Sequence, residues 1–262
     1  GIYRKVQMIT TDAVHVAPWG TCIRTPEVSD QAAEIQIQTV IENAAGTEQT
    51  LTLETSILDP SGKSVASLKT ENAKLSGPHQ EFTQTIKISN PLKWDIDTPR
   101  LYSAKTTVSR NGTVCDTYST PFGIRKFRFD ADKGFFLNDR PVKMKGVDLH
   151  HDQGALGAVF LTRAMERQLE IMKDMGCNAI RTSHNMPAPE LLDLCDRMGF
   201  VVFDESFDKW TNTADFHRGM DFAEFGERQI KNFVLRDRNH PSVVIWSAGN
   251  EMSEIETNKD SQ

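Results

Sequence analysis

The chain has 262 residues, of which 38% are hydrophobic and 25% are charged, a balance that is typical of a folded globular protein. Its net charge is −6 and it contains no basic cluster, which argues against nucleic acid as a main partner. It has no run of about 18 apolar residues, so no membrane-spanning helix is predicted. We expect neither nucleic acid nor a membrane as a partner.

The two ends of the chain suggest a piece of a longer protein. The first five residues, Gly-Ile-Tyr-Arg-Lys, lack the features of a signal peptide. A polar stretch, residues 254–262, closes the chain. On this interpretation the sequence predicts neither the compartment nor the oligomeric state.

The cysteines are too few and too scattered to predict a disulfide scaffold or a zinc site. They are Cys22, Cys115, Cys177 and Cys195. The favoured interpretation is that they act as small hydrophobic side chains. A disulfide between Cys22 and Cys115 stays open, because only the fold can bring these two residues together.

The first half, residues 1–123, shows the patterns of β-strands. Polar and apolar residues alternate with a period near two over residues 34–41. Turn signals follow at Asp59-Pro60-Ser61-Gly62 and at Asn111-Gly112, the second being typical of a tight hairpin. About seven short strands separated by such turns predict an immunoglobulin-like β-sandwich.

The second half, residues 124–262, starts with a predicted hairpin and then alternates strands with helices. The strands are predicted at residues 142–147, 178–181, 200–203 and 243–246. The helices are predicted at residues 162–175, 189–198 and 221–236. Short connections between alternating strands and helices imply a parallel sheet with right-handed crossovers.

Within this pattern, individual residues receive specific predictions. Thr162 is expected to cap the first helix. The buried face of that helix is predicted at Met165, Leu169, Met172 and Met175. The core positions of the third helix are predicted at Phe222, Phe225, Ile230 and Phe233. The run 243–246 has the uninterrupted apolar character expected of a strand that is covered on both faces.

Each of the four predicted strands ends in polar residues that are suited to chemistry. The ends are Asp148-Leu149-His150-His151-Asp152, Arg181-Thr182-Ser183-His184-Asn185, Asp204-Glu205 and Asn250-Glu251. Active sites of (β/α) barrels lie at the carboxyl ends of the strands, so we expect one shared site. A carboxylate beside a carboxamide makes Glu251 a candidate general acid/base. The alternative is a glutamate that is solvated or salt-bridged at a strand end.

These residues do not predict a metal centre or a cofactor. None has a recognised metal-binding spacing, and the adjacent His150 and His151 are expected to point to opposite faces of an extended segment. The sequence also lacks a G-x-G-x-x-G motif and a P-loop, so it predicts no nucleotide cofactor.

Three stretches of the sequence resemble glycoside hydrolase family 2, and within it the β-galactosidase-like members. The first, residues 178–184 followed by 194–199 and 204–205, resembles one signature of that family. The second, Arg238-Asn239-His240-Pro241-Ser242 through Trp246 to Asn250-Glu251, resembles its acid/base signature. The third, Phe122-Gly123-Ile124-Arg125, resembles the joint between the sandwich and the barrel of the family.

The resemblance implies an architecture and a set of roles. Residues 1–123 correspond to the immunoglobulin-like domain, and residues 124–262 to about four βα units, the first part of a (β/α)8 TIM barrel. Glu251 would be the general acid/base of a retaining, exo-acting β-glycosidase. Asn250 and His150 would hold sugar hydroxyls, His184 would line the same subsite, and Arg181 would orient the catalytic carboxylates.

The same resemblance implies that half of the catalytic pair is missing. The nucleophilic glutamate of the family follows a later barrel strand, beyond residue 262, and Glu205 corresponds to a structural residue. We therefore expect this chain alone to be inactive.

Two departures from the family pattern concern local structure and metal. His184-Asn185-Met186-Pro187 replaces the usual His-Tyr-Pro, which affects the shape of that loop. Magnesium-requiring β-galactosidases carry Glu and His where this chain has Lys209 and Thr211, so their magnesium site is not carried over.

The substrate is left open within a small set. A terminal β-galactoside is the leading expectation, and β-glucuronidase or β-mannosidase activity remains an alternative within the same family. A non-catalytic carbohydrate-binding scaffold is the alternative from another class.

Overall fold

The computed structural model describes residues 4–209 and 222–251, without the side chains of residues 222–224. The described chain forms two compact units. Val6–Val142 and Asn239–Pro241 form the first, which we call the sandwich unit. Lys143–Arg238, the N-terminal Arg4 and Lys5, and the residues from Ser242 onward form the second, which we call the barrel unit. The predicted domain boundary at residues 123 and 124 stays a prediction.

The sandwich unit contains two antiparallel sheets, with strand orders β1-β2-β5 and β4-β3-β6-β7. Their strands are β1 Val14–Arg24, β2 Ala32–Asn43, β3 Gln49–Leu58, β4 Ser64–Leu75, β5 His79–Ser89, β6 Tyr102–Arg110 and β7 Thr113–Phe122. These seven strands confirm the predicted immunoglobulin-like sandwich.

Alternation along the strands builds the core of the sandwich. Ile35, Ile37 and Ile41 of β2 are fully buried, while Gln36 and Gln38 between them are partly exposed. The predicted hairpin at Asn111-Gly112 is confirmed, and both residues have positive φ values, 51° and 78°, as a tight hairpin turn requires. All four cysteines are free, which decides against the disulfide that the sequence left open.

A three-stranded antiparallel sheet completes the sandwich unit. Its strands are β8 Phe127–Asp130, β9 Gly134–Leu137 and β10 Arg140–Pro141. The preceding Gly123 packs so closely that an added Cβ would lie 2.6 Å from Pro241 and 2.8 Å from Trp94. A residue with a Cβ would therefore collide with these neighbours, and only glycine fits at position 123 without a shift.

The barrel unit is a four-stranded parallel sheet, in the order β11-β12-β13-β14, with helices in the connections. The strands are β11 Gly146–Asp148, β12 Ala179–Arg181, β13 Val201–Glu205 and β14 Val243–Ser247. The helices are α1 Thr162–Asp174, α2 Pro189–Met198 and α3 Phe222–Asp237, and a 3₁₀ turn spans Gly154–Leu156. This alternation is the first part of a TIM barrel. No helix among the described residues is both long enough and apolar enough to cross a lipid bilayer.

Several local predictions for the barrel unit need correction. Leu161, not Thr162, precedes the first helical residue, and no side chain caps the helix there. Met165 and Leu169 are buried as predicted, but Met175 lies beyond the end of α1 and is 71% exposed. Strand β11 starts only at Gly146, because the N–H of Val142 still bonds the hairpin carbonyl of Phe135.

The strand β14 also differs from its prediction. Val243 and Val244 are buried, but Trp246 is 42% exposed. Its indole packs edge-on against Phe233 of α3, at 5.1 Å between ring centroids. Within the described sheet β14 pairs only with β13. Of the other core positions predicted for α3, the side chain of Phe222 lies outside the described residues.

Candidate active site

Parallel pairing brings the carboxyl ends of the four strands to one edge. Asp148 of β11 is in register with Arg181 of β12, and Glu205 of β13 is in register with Ser247 of β14. The residues that follow these positions enter loops at the same edge of the sheet. The strand-end prediction therefore places its candidates in one region of the molecule.

Glu205 is the most heavily bonded carboxylate at this edge, and it is fully buried. Arg181 donates to it through Nε at 3.1 Å and through Nη2 at 2.8 Å. His184 Nδ1 lies 2.7 Å from one carboxylate oxygen, and Ser247 Oγ lies 2.9 Å from the other. The backbone N–H of Glu205 donates to Thr182 Oγ1 at 2.8 Å. The carboxylate thus accepts from three side chains, which fixes its position.

Arg181 connects Glu205 with the end of β14. Its Nη2 also donates to Asn250 Oδ1 at 2.9 Å, and its Nη1 lies 3.6 Å from Asp148. The hydrogen bonds with Glu205 raise the pKa of the Arg181 guanidinium further above its usual value. Arg181 is therefore a permanent cation that orients one carboxylate and one carboxamide at once.

His184 and His150 form a ring pair next to Glu205. Their centroids are 5.1 Å apart and their planes meet at 86°, an edge-to-face contact. Because the Glu205 carboxylate accepts a hydrogen bond, Nδ1 of His184 carries the proton in this contact. In the tautomer with a single proton on Nδ1, Nε2 of His184 is an acceptor for a ligand hydroxyl.

Asn250 and Glu251 contact the segment that follows β13. The N–H of Asn250 donates to the Phe207 carbonyl at 2.9 Å, and its Nδ2 donates to Asp208 Oδ1 at 3.0 Å. This second bond lowers the pKa of Asp208. Glu251 is exposed, with a φ of 46°, and its carboxylate lies 2.7 Å from Lys209 Nζ. The hydrogen bond from Lys209 is the main reason that the pKa of Glu251 is lowered.

The structure brings four of the five candidate residues into one series of contacts. His150 contacts His184, His184 and Arg181 both bind Glu205, and Arg181 binds Asn250. Glu251 follows Asn250 in the chain, but its own carboxylate is held by Lys209 rather than by that series.

Sequence reasoning did not select Asp208, and it considered Lys209 only as a position where a magnesium ligand is replaced. Asp208 and Lys209 bind Asn250 and Glu251, respectively. Both follow β13 within a few residues, so the strand-end rule that selected Glu205 would also have selected them. The partners of these two residues depend on the path of the loop after β13, which the sequence pattern does not specify.

The described residues do not fit a divalent cation at Glu251. The Lys209 ammonium lies directly against the carboxylate oxygen that such an ion would need. Within residues 4–209 and 222–251, no group of three or more His, Cys, Asp or Glu side chains is arranged to hold a metal ion. Thr211, the second position where magnesium-requiring enzymes differ, lies outside the described residues.

A cavity of about 330 Å³ lies along the strands of the barrel unit. Asp148 and Arg181 line it together with apolar residues of β12, β13 and β14. A mostly apolar hollow with a few polar groups, here Asp148 and Arg181, is the kind of space in which small ligands bind.

Two family models match the chain. The model described as the TIM barrel domain of glycosyl hydrolases family 2 matches residues 130–261. A second model, described as glycosyl hydrolases family 2, matches residues 21–125. Together they cover both units.

Curated relatives include glycosidases of two named activities. Beta-galactosidase BoGH2A of Bacteroides ovatus is 49% identical over 97% of this chain, which covers 30% of that protein. A beta-glucuronidase of Formosa agariphila is 31% identical over 95% of this chain, which covers 26% of that protein. The chain therefore spans about a third or less of the length of these relatives.

Solved structures show the same relationship. A family 2 member from Bacteroides cellulosilyticus superposes with a TM-score of 0.89 at 36% identity, covering 95% of this chain and 34% of that one. Bacteroides uniformis beta-glucuronidase 2, covalently bound to cyclophellitol-6-carboxylate aziridine, gives a TM-score of 0.81 at 30% identity, covering 96% of this chain and 31% of that one. The family model of the TIM barrel domain matches half of the residues of this chain. The chain therefore belongs to glycosyl hydrolase family 2.

Proposed function

We propose that this chain carries the acid/base half of the site of an exo-acting retaining β-glycosidase. The observation that supports it is the series of contacts from His150 through His184, Glu205 and Arg181 to Asn250. Such a series fixes hydrogen-bonding side chains at one sheet edge, next to the carboxylate of Glu251. Orientation of this kind is what sugar hydrolysis requires of its binding residues.

In this proposal Glu251 is the general acid/base. Retaining hydrolysis needs a carboxylic acid that protonates the leaving oxygen and then, as a carboxylate, activates water. Lys209 favours the ionised form, which suits the second step. For the first step, a second carboxylate about 5 Å away would raise the pKa of Glu251 again, since like charges oppose ionisation.

We propose that the second carboxylate is not Glu205. A nucleophile needs an oxygen that is free to attack, and both oxygens of Glu205 accept hydrogen bonds from Arg181, His184 or Ser247. Asp208 also accepts from Asn250 and Lys209, in both cases at Oδ1. The chain by itself is therefore expected not to hydrolyse glycosides.

The remaining candidates would bind the sugar. Asn250 has a carboxamide whose position is fixed from both sides, by Arg181 and by Asp208. His184 offers Nε2 as an acceptor, and the His150 ring lies against it. We assign hydroxyl binding to His150, His184 and Asn250, and orientation of the carboxylates to Arg181.

A terminal β-galactoside is the first candidate substrate. The relative that is 49% identical over nearly the whole chain is named a beta-galactosidase. The two cations described at the site, Arg181 and Lys209, are already paired with carboxylates, which favours a neutral sugar. A β-glucuronide is the second candidate, because several relatives and solved neighbours are named beta-glucuronidases.

The first experiment separates binding from turnover in the 262-residue chain. Aryl β-galactoside, β-glucuronide, β-mannoside and β-glucoside are offered as substrates, and the matching thioglycosides are titrated as ligands. We expect saturable binding of the β-galactoside without hydrolysis, and weaker binding in Asn250→Ala. Turnover would overturn the missing-nucleophile proposal and direct attention to Glu205 and Asp208. Absence of binding of every thioglycoside would contradict the sugar-site proposal.

A second experiment tests the acid/base role in an active background. The region of BoGH2A that matches this chain is replaced by this chain, and the chimera is assayed with activated and unactivated aryl galactosides. Glu251→Gln should lower turnover of the poor leaving groups by about 10²-fold or more, and that of activated ones far less. Glu170→Gln, on the exposed face of α1, is the matched control. An equal loss for both leaving groups would remove Glu251 from the acid role.

A further inference from the structure

His151, which follows the sugar-site candidate His150, makes a contact that the proposed site does not use. Its Nδ1 lies 2.8 Å from Nη2 of Arg4, near the start of the chain. A guanidinium can only donate hydrogen bonds, so Nδ1 must be the acceptor. The ring is then neutral and carries its proton on Nε2.

The other side of the His151 ring reaches the loop after β12. His151 lines a small hollow together with Thr182 and Pro187 of that loop. The N–H of Ser183 also donates to the carbonyl of Leu149 at 3.2 Å. Ser183 directly precedes His184, so the segment that carries His150 and His151 is joined to the one that carries His184.

Arg4 is held in place by its surroundings. Its guanidinium lies 6.0 Å from the centroid of the Phe160 ring, and the next residue, Lys5, pairs with Glu190 of α2 at 2.8 Å. Arg4 also lines a small hollow of about 20 Å³, together with both histidines of the 150–151 pair. There is room for no more than a water molecule, so this contact is a packed junction and not a second ligand site.

We propose that Arg4 and His151 are positioning residues for the His150–His184 pair, acting through the hydrogen bond from Arg4 to His151 and the packing of His151 against the loop after β12. This inference rests on the proposed function, which assigns sugar binding to the His150–His184 pair. The other tautomer of His151 would remove the hydrogen bond from Arg4, since a protonated Nδ1 would then face a guanidinium that can only donate. The geometry of the subsite therefore depends on a residue about 150 positions earlier in the chain.

The test uses the 262-residue chain and two measurements that are independent of each other. Long-range ¹H–¹⁵N correlation spectra report the tautomer of each imidazole, and titration with isopropyl β-thiogalactoside reports sugar binding. The variants are Arg4→Met, which removes the donor, and Lys5→Met as the matched control. Lys5→Met removes a tether of the same segment without touching His151.

We expect wild-type His151 to be the Nε2–H tautomer. Arg4→Met should shift the ring signals of His150 and His184 and weaken sugar binding about tenfold, whereas Lys5→Met should leave both unchanged. An Nδ1–H tautomer in the wild type would overturn the inference even if Arg4→Met failed to fold. Unchanged His150 and His184 signals in a folded Arg4→Met would also overturn it. Altered ring signals in a chain that binds no sugar would support the junction and contradict only the proposed function.

Discussion

The ammonium of Lys209 lies 2.7 Å from the carboxylate of Glu251, the residue assigned the acid/base role. The contact joins the loop after β13 to the end of β14. It also means that the carboxylate has a cationic partner before any ligand arrives. The protonation state of Glu251 in the free chain is therefore set by a neighbour that the sequence motifs did not include.

Replacing that neighbour should change the titration of Glu251. In Lys209→Met we expect the pKa of Glu251 to rise toward its ordinary value, because its main hydrogen bond and the adjacent positive charge are both lost. Carboxyl ¹³C chemical shifts followed against pH measure this directly. Lys143→Met, an exposed lysine of the same unit, is the control. The same low pKa in Lys209→Met as in wild type would show that another group lowers it.

Removing the charge of Glu205 should destabilise the barrel unit. Glu205→Gln leaves Arg181 without its main anionic partner, and we expect the free energy of unfolding to fall by about 2–4 kcal/mol. Chemical denaturation measures the change. The control Glu170→Gln removes an exposed partner of Arg163 and should leave the free energy of unfolding close to that of wild type. Equal effects of the two substitutions would mean that burial of the Glu205 pair has no energetic weight.

The close approach at Gly123 gives a prediction for the sandwich unit. Gly123→Ala would place a Cβ 2.6 Å from Pro241, so the backbone must shift, and we expect destabilisation by about 1–3 kcal/mol. Gly77→Ala is the matched control, because its added Cβ has no neighbour nearer than 3.8 Å. Thermal unfolding of both variants compares them. A Gly123→Ala variant as stable as Gly77→Ala would contradict the packing argument.

His151 predicts a pH dependence of stability. Burial is the main cause that lowers the pKa of His151. The charges of Arg4 and His150 lower this pKa further, whereas the backbone of Asn185 raises it. The unfolded chain takes up the proton first, near pH 6.5. The contribution of neutral His151 is therefore complete above about pH 6.5 and declines as the pH falls toward the native pKa.

The measurement is the difference in unfolding free energy between wild type and His151→Gln, which does not titrate at this position. We expect that difference to shrink as the pH falls below about 6.5. A difference that stays constant across this range would show that His151 keeps an ordinary pKa in the folded chain. His79→Gln, at an exposed position of β5, controls for the loss of a titrating imidazole.

Patterns that are local in sequence predicted most of the fold. Alternation and turn residues identified the strands of the sandwich, and the helix predicted at residues 189–198 is α2, which ends at Gly199 with a φ of 73°. The errors came where tertiary contacts decide. Met175 fits the helical spacing but lies past the last turn, and the exposure of Trp246 depends on what packs against its indole.

The candidate site was predictable in position but not in pairing. Four strand ends at one edge follow from a parallel sheet, and this rule selected Arg181, His184, Asn250 and Glu251. Arg181 binds both Glu205 and Asn250. The spacing of residues in the sequence does not predict this double contact, because it depends on side-chain geometry. The partnership of Lys209 with Glu251 depends on the path of a loop, which propensities do not specify.

The bond between Arg4 and His151 joins residues 147 positions apart in the sequence. Closing so long a loop has a high entropic cost, and contacts of this kind form late in folding. All seven sandwich strands lie within that loop. We therefore expect the two histidine loops to reach their final arrangement only after the sandwich has folded, so that a delay in the maturation of the sandwich would appear as a delay in the appearance of sugar binding.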